Sequence, residues 1–289
     1  MRLTICLLLA ALLSSCSAKE ERGSPSPSEP AAPLPTLALF GGEERLEVDI
    51  PTLRAQLETV QFRVFNPEWK QEIEYRAFRL QDVLRLAGIP LDGRDGDLIF
   101  HCADGYASIR PIKMLSKMKL MLAFEEVGAQ KWTPLPGHRD APIAGPFYVL
   151  SQDAADFEAF PWPWQVTGIE LVDFTERYAA LVPVGAADDS AEMRGFRAFR
   201  SKNCLSCHSI NLVGGQVGPE LNVPKNITEY RDRDLLKAWI RDASAFRART
   251  LMPPNPDLSD AELDDILAYL AAMKEHKTNT GEGSAETGH

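Results

Sequence analysis

Residues 204–208 read Cys204-Leu205-Ser206-Cys207-His208, a C-x-x-C-H pentapeptide on which the reading of the chain turns. Two thiols one helical turn apart can add to the two vinyl groups on one edge of a porphyrin, and the histidine that follows is then placed under the iron as an axial ligand. Chance would produce the pattern in roughly one such chain in a thousand, so it marks Cys204 and Cys207 as attachment points of one covalent haem c and His208 as an iron ligand. A thioredoxin-like redox pair or half of a zinc site also shows C-x-x-C. Neither expects the histidine, and no second C-x-x-C completes four zinc ligands.

The flanking residues predict helices. Met193, Phe196 and Phe199 recur at helical spacing over Ala191 to Lys202, leading into the attachment site. Leu235, Leu236, Trp239 and Ile240 share one face of a second helix over Asp232 to Ala243. Ser259-Asp260-Ala261-Glu262 has capping-box form before Leu263, Ile266, Leu267 and Leu270, at i, i+3, i+4 and i+7. Together with the pentapeptide these residues resemble the class I cytochrome c family. Gly195 and Phe199 stand where that family lets its first and last helices cross closely, and Tyr269-Leu270 also match it. The resemblance implies that Met252, ahead of Pro253-Pro254, is the second axial ligand. A thioether favours reduced iron and closes the site to oxygen, which makes a haem an electron carrier. Core filling is the ordinary alternative for a methionine. The resemblance also implies that Gly214 to Pro219 passes over the histidine side of the haem, with the Pro219 carbonyl accepting from the other nitrogen of His208 and so fixing its tautomer. A plain turn is the competing reading.

Before this domain the pattern changes. Val60-x-Phe62-x-Val64 alternates as a half-buried strand, Leu80 to Ala87 reads as a helix, and Leu98-Ile99-Phe100 and Phe147 to Leu150 read as strands. Trp69, Tyr75 to Leu84, Asp104-Gly105-Tyr106, a Met-Leu-Ala helix end, Gly145-Pro146 and Gly168-Ile169-Glu170-Leu171 together resemble the molybdopterin-binding domain of the sulfite oxidase family. In that family a cysteine four residues before a tryptophan ligates molybdenum. Counting back from Trp69, that place is Phe65, so molybdopterin is not expected, and the domain reads as a cofactor-free docking or spacing module. Cys102 reads as a buried free thiol: adjacent strand residues point to opposite faces, so His101 and Cys102 do not readily share an ion, with His138 the other histidine weighed. Met114, Met118 and Met121 at i, i+4 and i+7 read as core rather than a copper site. Trp162 and Trp164, among prolines, either face a partner or seal the core.

The chain has 289 residues, 31 Lys and Arg against 41 Asp and Glu, and five cysteines. The acidic balance argues against nucleic acid, whose binders need clustered cations. Five cysteines are too few for a disulfide scaffold. A cationic start and an apolar run from Leu3 to Leu13, too short to span a bilayer, read as a signal peptide. It ends in Leu13-Ser14-Ser15-Cys16, which resembles a bacterial lipobox with Cys16 as the lipidated residue.

The expected organisation is thus multidomain: a lipoprotein signal peptide (1–16), a Pro/Ser-rich tether (17–35), an α+β sulfite-oxidase-like domain (36–178), a linker (179–189), an all-α cytochrome c domain (190–276) and a disordered tail (277–289). The expected function is one-electron transfer on the periplasmic side of a bacterial membrane, held there by a lipid anchor, with a redox protein of the cell envelope as partner. Ser17, in place of the aspartate that often retains lipoproteins at the inner membrane, favours the outer one. Two alternatives stand beside it: an oxidoreductase whose first domain feeds the haem from a molybdenum or copper centre, and a haem-based redox sensor or assembly protein.

Overall fold

The computed structural model describes residues 34–41, 45–137 and 140–278. The signal peptide and Cys16, residues 17–33 of the tether, His138 and residues 279–289 of the tail lie outside the described residues. In chain order the first region gives β1 (Thr36–Phe40), β2 (Arg45–Asp49), α1 (Ile50–Gln56), β3 (Val60–Asn66), β4 (Gln71–Arg79), α2 (Leu80–Leu86), β5 (Asp97–Cys102), β6 (Ala107–Pro111), α3 (Ile112–Leu115), β7 (Leu120–Glu126), β8 (Tyr148–Ser151), β9 (Val166–Val172) and α4 (Phe174–Arg177). The strands form two sheets, one ordered β2-β1-β9-β5-β6 and the other β3-β4-β7-β8. Among the described residues only β1 and β9 pair in parallel.

Around β5 the first sheet is buried on both faces, which explains why Leu98-Ile99-Phe100 is continuously apolar instead of alternating. Leu98 and Phe100 belong to one core with Leu37, Leu39 and Ile169, whereas Ile99, Ala107, Ile109 and Val172 belong to a second core built mainly by the carboxyl-terminal region. The two regions therefore share a sheet face as their seam.

Two expectations for the first region need correcting. Met121-Leu122-Ala123, expected as a helix end, lies within β7, and the methionine stripe is no helix face: Met114 sits in α3, Met118 in the turn after it and Met121 in β7. Short apolar runs buried on both faces look alike as helix or strand in a sequence. Trp162 is buried against Tyr148 and Phe157, ring centroids 6.3 and 5.5 Å away, so it closes the core.

The second region gives α5 (Ala191–Ser201), α6 (Cys204–Cys207), β10 (Ser209–Ile210), β11 (Val213–Gly214), α7 (Arg233–Arg241) and α8 (Asp260–Ala272). The expectation of an all-α domain is off at one place, the two-residue ribbon β10–β11, which reverses the chain directly after His208. Ser190 caps α5, and Ser259 and Glu262 form a reciprocal capping box on α8. α5 and α8 cross where Gly195 meets Asp265. A Cβ there would lie 1.9 Å from the Asp265 carbonyl oxygen, so only glycine allows the approach. Phe196 and Phe199 flank Tyr269 at 5.5 and 5.6 Å, and the Tyr269 hydroxyl donates to the Leu181 carbonyl. Leu181 is fully buried, so the start of segment 179–189, expected as a linker, is part of this core.

Candidate haem site

α6 is a single turn that carries Cys204 and Cys207 at i and i+3, on one side of the helix. Neither thiol is in a disulfide. Desolvation pushes the Cys204 thiol up to about 12 and the Cys207 thiol up to about 11. Both are protonated at neutral pH, unlike the lowered thiol of a thioredoxin-like pair. His208 follows in extended backbone, which takes its ring out of the helical turn.

The imidazole is held by the chain that the β10–β11 ribbon returns to it. Nδ1 lies 2.9 Å from the Pro219 carbonyl oxygen. A carbonyl only accepts, so Nδ1 carries the proton and Nε2 is left with its lone pair for a metal. Desolvation lowers the His208 pKa against the opposing pull of that carbonyl, keeping the ring in its neutral, ligating form. Gly218 lies flat against the ring: a Cβ there would approach its atoms to 2.5 Å.

This loop is fixed by Glu220, whose carboxylate accepts from the amides of Asn222 (2.7 Å), Leu212 (2.8 Å), Asn211 (3.0 Å) and Val223 (3.1 Å). Desolvation works to raise its pKa, but these N–H donors and the Ser209 hydroxyl outweigh it and hold the carboxyl below its ordinary value. Behind it, buried Asn211, Asn222 and Asn226 form a hydrogen-bonded chain that ends on the Leu270 carbonyl of α8.

Met252 is half-buried in the irregular segment between α7 and α8. Asn255 ties this segment to the end of α7, donating from its amide to Arg241 O (2.8 Å) and from its side chain to Ile240 O (3.1 Å). α7 is amphipathic, yet none of its residues is fully buried. Trp239 stacks on Phe246 at 5.2 Å, Phe246 is 45% exposed and Leu251, beside Met252, is 67% exposed. An amphipathic helix and an adjoining loop with this much open apolar surface fit a large, flat apolar group. The donors also fit haem: two thiols a turn apart, an oriented imidazole and a thioether.

The first region meets the Cys204–Cys207 turn directly. α6 lies against β6, and the Gln216 amide donates to the Gly105 carbonyl at 2.8 Å. The side chain of Tyr106 is set among Arg110, Ser108 and Ser206, beside Cys207. Asp97, with 7% of its side chain exposed, pairs with Arg200 at 2.6 Å, and that guanidinium lies 3.7 Å over the Phe174 ring. Elsewhere, His101 Nε2 is 2.9 Å from Glu170 and Cys102 is buried, its thiol pushed up by desolvation. Among the described residues no group of three or more His, Cys, Asp or Glu side chains is placed to hold a metal ion. Phe65 stands exposed on β3. The sequence reading missed Glu220 and the seam residues. A carboxylate directly after Gly-Pro was the one available signal for the former.

The carboxyl-terminal region is a cytochrome c domain: the family described as Cytochrome c matches residues 192–274, and that family implies haem c. The same part of the chain is similar to cytochrome c oxidase subunit 2 of Alkalihalophilus pseudofirmus, 31% identical over 87 residues, which cover 28% of this chain and 25% of that protein. Cytochrome c oxidase subunit 2 of Bacillus subtilis is 26% identical over 100 residues, covering 30% and 28%. The matched stretch is thus about a quarter of each relative's length.

Proposed function

We propose that the protein is a one-electron carrier whose single haem is bonded through Cys204 and Cys207 and ligated by His208 and Met252. The observation that carries this reading is the imidazole of His208, next to two same-sided thiols, held in its neutral form with Nδ1 committed to Pro219. Haem would supply an iron that cycles between two oxidation states. The chain's part is to fix the ligands so that little rearranges on transfer: Glu220 and Gly218 hold the histidine side, and Asn255 anchors the methionine segment to α7. The relatives named as cytochrome c oxidase subunits fit a redox role.

In this reading the first region is a cofactor-free relative of the sulfite-oxidase domain that serves as a docking or spacing module. The chain is anchored by a lipid on Cys16 at the periplasmic side of a bacterial membrane, and the partner is a redox protein of the cell envelope. The test is the pigment. Full-length protein matured in a host competent for cytochrome c assembly should keep its haem after denaturation and show a reversible reduced-minus-oxidised spectrum. Release of the pigment into acidified organic solvent, or no pigment at all, refutes covalent attachment.

A further inference from the structure

Arg110, on β6 of the first region, is 4% exposed. Its Nη1 donates to the Ile109 carbonyl at 2.7 Å, Nε and Nη2 make no hydrogen bond of good geometry, the neutral Tyr106 phenol is set against the guanidinium, and Phe160 lies 6.0 Å away. No carboxylate is hydrogen-bonded to it among the described residues, although a guanidinium stays charged in any protein. Buried cations without a counter-charge are rare, because dehydration costs several kcal/mol. Tyr106 links this charge to the attachment turn, set against both Arg110 and Ser206 and beside Cys207. A charge in such surroundings is weakly screened by salt and acts over distances on the order of 10 Å.

Oxidised haem carries one more positive charge than reduced haem, so a fixed cation nearby disfavours oxidation. We propose that Arg110 sets the haem potential from the neighbouring region, its unpaired charge holding the iron towards the reduced state across the seam formed by β6, Tyr106 and α6. This rests on the haem reading above. It also gives the first region a part in the electron-transfer chemistry without a cofactor of its own.

The experiment is a spectroelectrochemical titration of the haem-bearing full-length chain with Arg110→Met, Arg110→Gln, Arg110→Lys and Ser108→Asp. The two neutral variants should lower the equilibrium constant for reduction about three- to tenfold, tenfold being 59 mV for one electron. Arg110→Lys should stay within about twofold of the parent. Ser108→Asp, which sets a carboxylate beside the guanidinium, should lower the potential as the neutral variants do and keeps the test available if those fail to mature. Unmoved potentials in the neutral variants or in Ser108→Asp overturn the proposal, as does a fall in Arg110→Lys equal to that in Arg110→Met. A parent chain without covalent haem defeats the underlying reading instead, and the two failures are told apart by the denatured spectrum.

Discussion

Gly218 and His208 are in van der Waals contact, with the glycine backbone against the flat of the imidazole and the next carbonyl, that of Pro219, accepting from Nδ1 at 2.9 Å. The ring has one orientation because one side is blocked and one nitrogen is committed. Gly218→Ala would put a methyl 2.5 Å from the ring, so the ring or the loop must shift. We expect the variant to mature with lower haem yield and to lose about 1–3 kcal/mol of unfolding free energy to overpacking. Parental haem content and stability would show that the ring is free to move.

Glu220 gathers four amides on one carboxylate, and its pKa is lowered on folding. A carboxyl with a depressed folded pKa contributes stability that is complete above its unfolded value, near 4.5, and is lost as the pH falls through the folded value. Glu220→Gln removes the charge and puts an NH2 group where a donor cannot serve. It should cost about 1.5–3 kcal/mol at neutral pH and flatten the fall in stability below pH 4.5. Denaturant titrations at pH 7 and pH 4 give both quantities, and a variant as acid-sensitive as the parent would exclude this carboxylate as the cause.

The candidate attachment site is readable in the sequence because a covalently bound haem would take Cys204, Cys207 and His208 from one contiguous pentapeptide. The helices around it were legible because their caps and apolar periods are local. What was not legible depends on partners far along the chain. Asp97 and Arg200 are 103 residues apart and form their pair only once the sheet face of β5, β6 and β9 meets α5. β7 was misread as a helix end because its run Leu120 to Phe124 is buried on both faces and has lost the alternation that marks a strand. Glu220 shows in the sequence only by its place after Gly218-Pro219, because its acceptors serve backbone amides, which every residue carries.

The Gly195 crossing gives a stability test that leaves the iron ligands alone. Gly195→Ala places a Cβ 1.9 Å from the Asp265 carbonyl, so α5 and α8 must separate and loosen the contacts of Phe196 and Phe199 with Tyr269. The higher helix propensity of alanine, worth about 1 kcal/mol, works in the opposite direction. We expect a net loss of about 1–3 kcal/mol, measured by thermal unfolding of the haem-bearing protein. A stabilised variant would place the two helices further apart than described.

Cys16→Ser tests the anchor. One acyl chain binds a membrane marginally and two or more bind it durably, so a lipoprotein cysteine should hold the chain through salt and carbonate washes. The serine variant should leave the membrane fraction for the soluble one with its haem spectrum unchanged. Continued sedimentation with membranes would count against the lipobox.

Met252 and His208 sit on segments that are positioned independently, one by Asn255 and the other by Glu220, so the methionine can be changed without disturbing the histidine. Met252→Ala should keep covalent haem and remove the thioether proposed to favour reduced iron. Axial ligation moves haem potentials over about 0.8 V across proteins, so a fall on the order of 100 mV is expected. The ferrous variant should bind carbon monoxide within mixing time, whereas the parent should bind it slowly or not at all. Met252→His should restore a closed iron at a potential below that of the parent, because imidazole replaces the thioether. If Met252→Ala leaves both the potential and the carbon monoxide response of the parent, another side chain caps the iron.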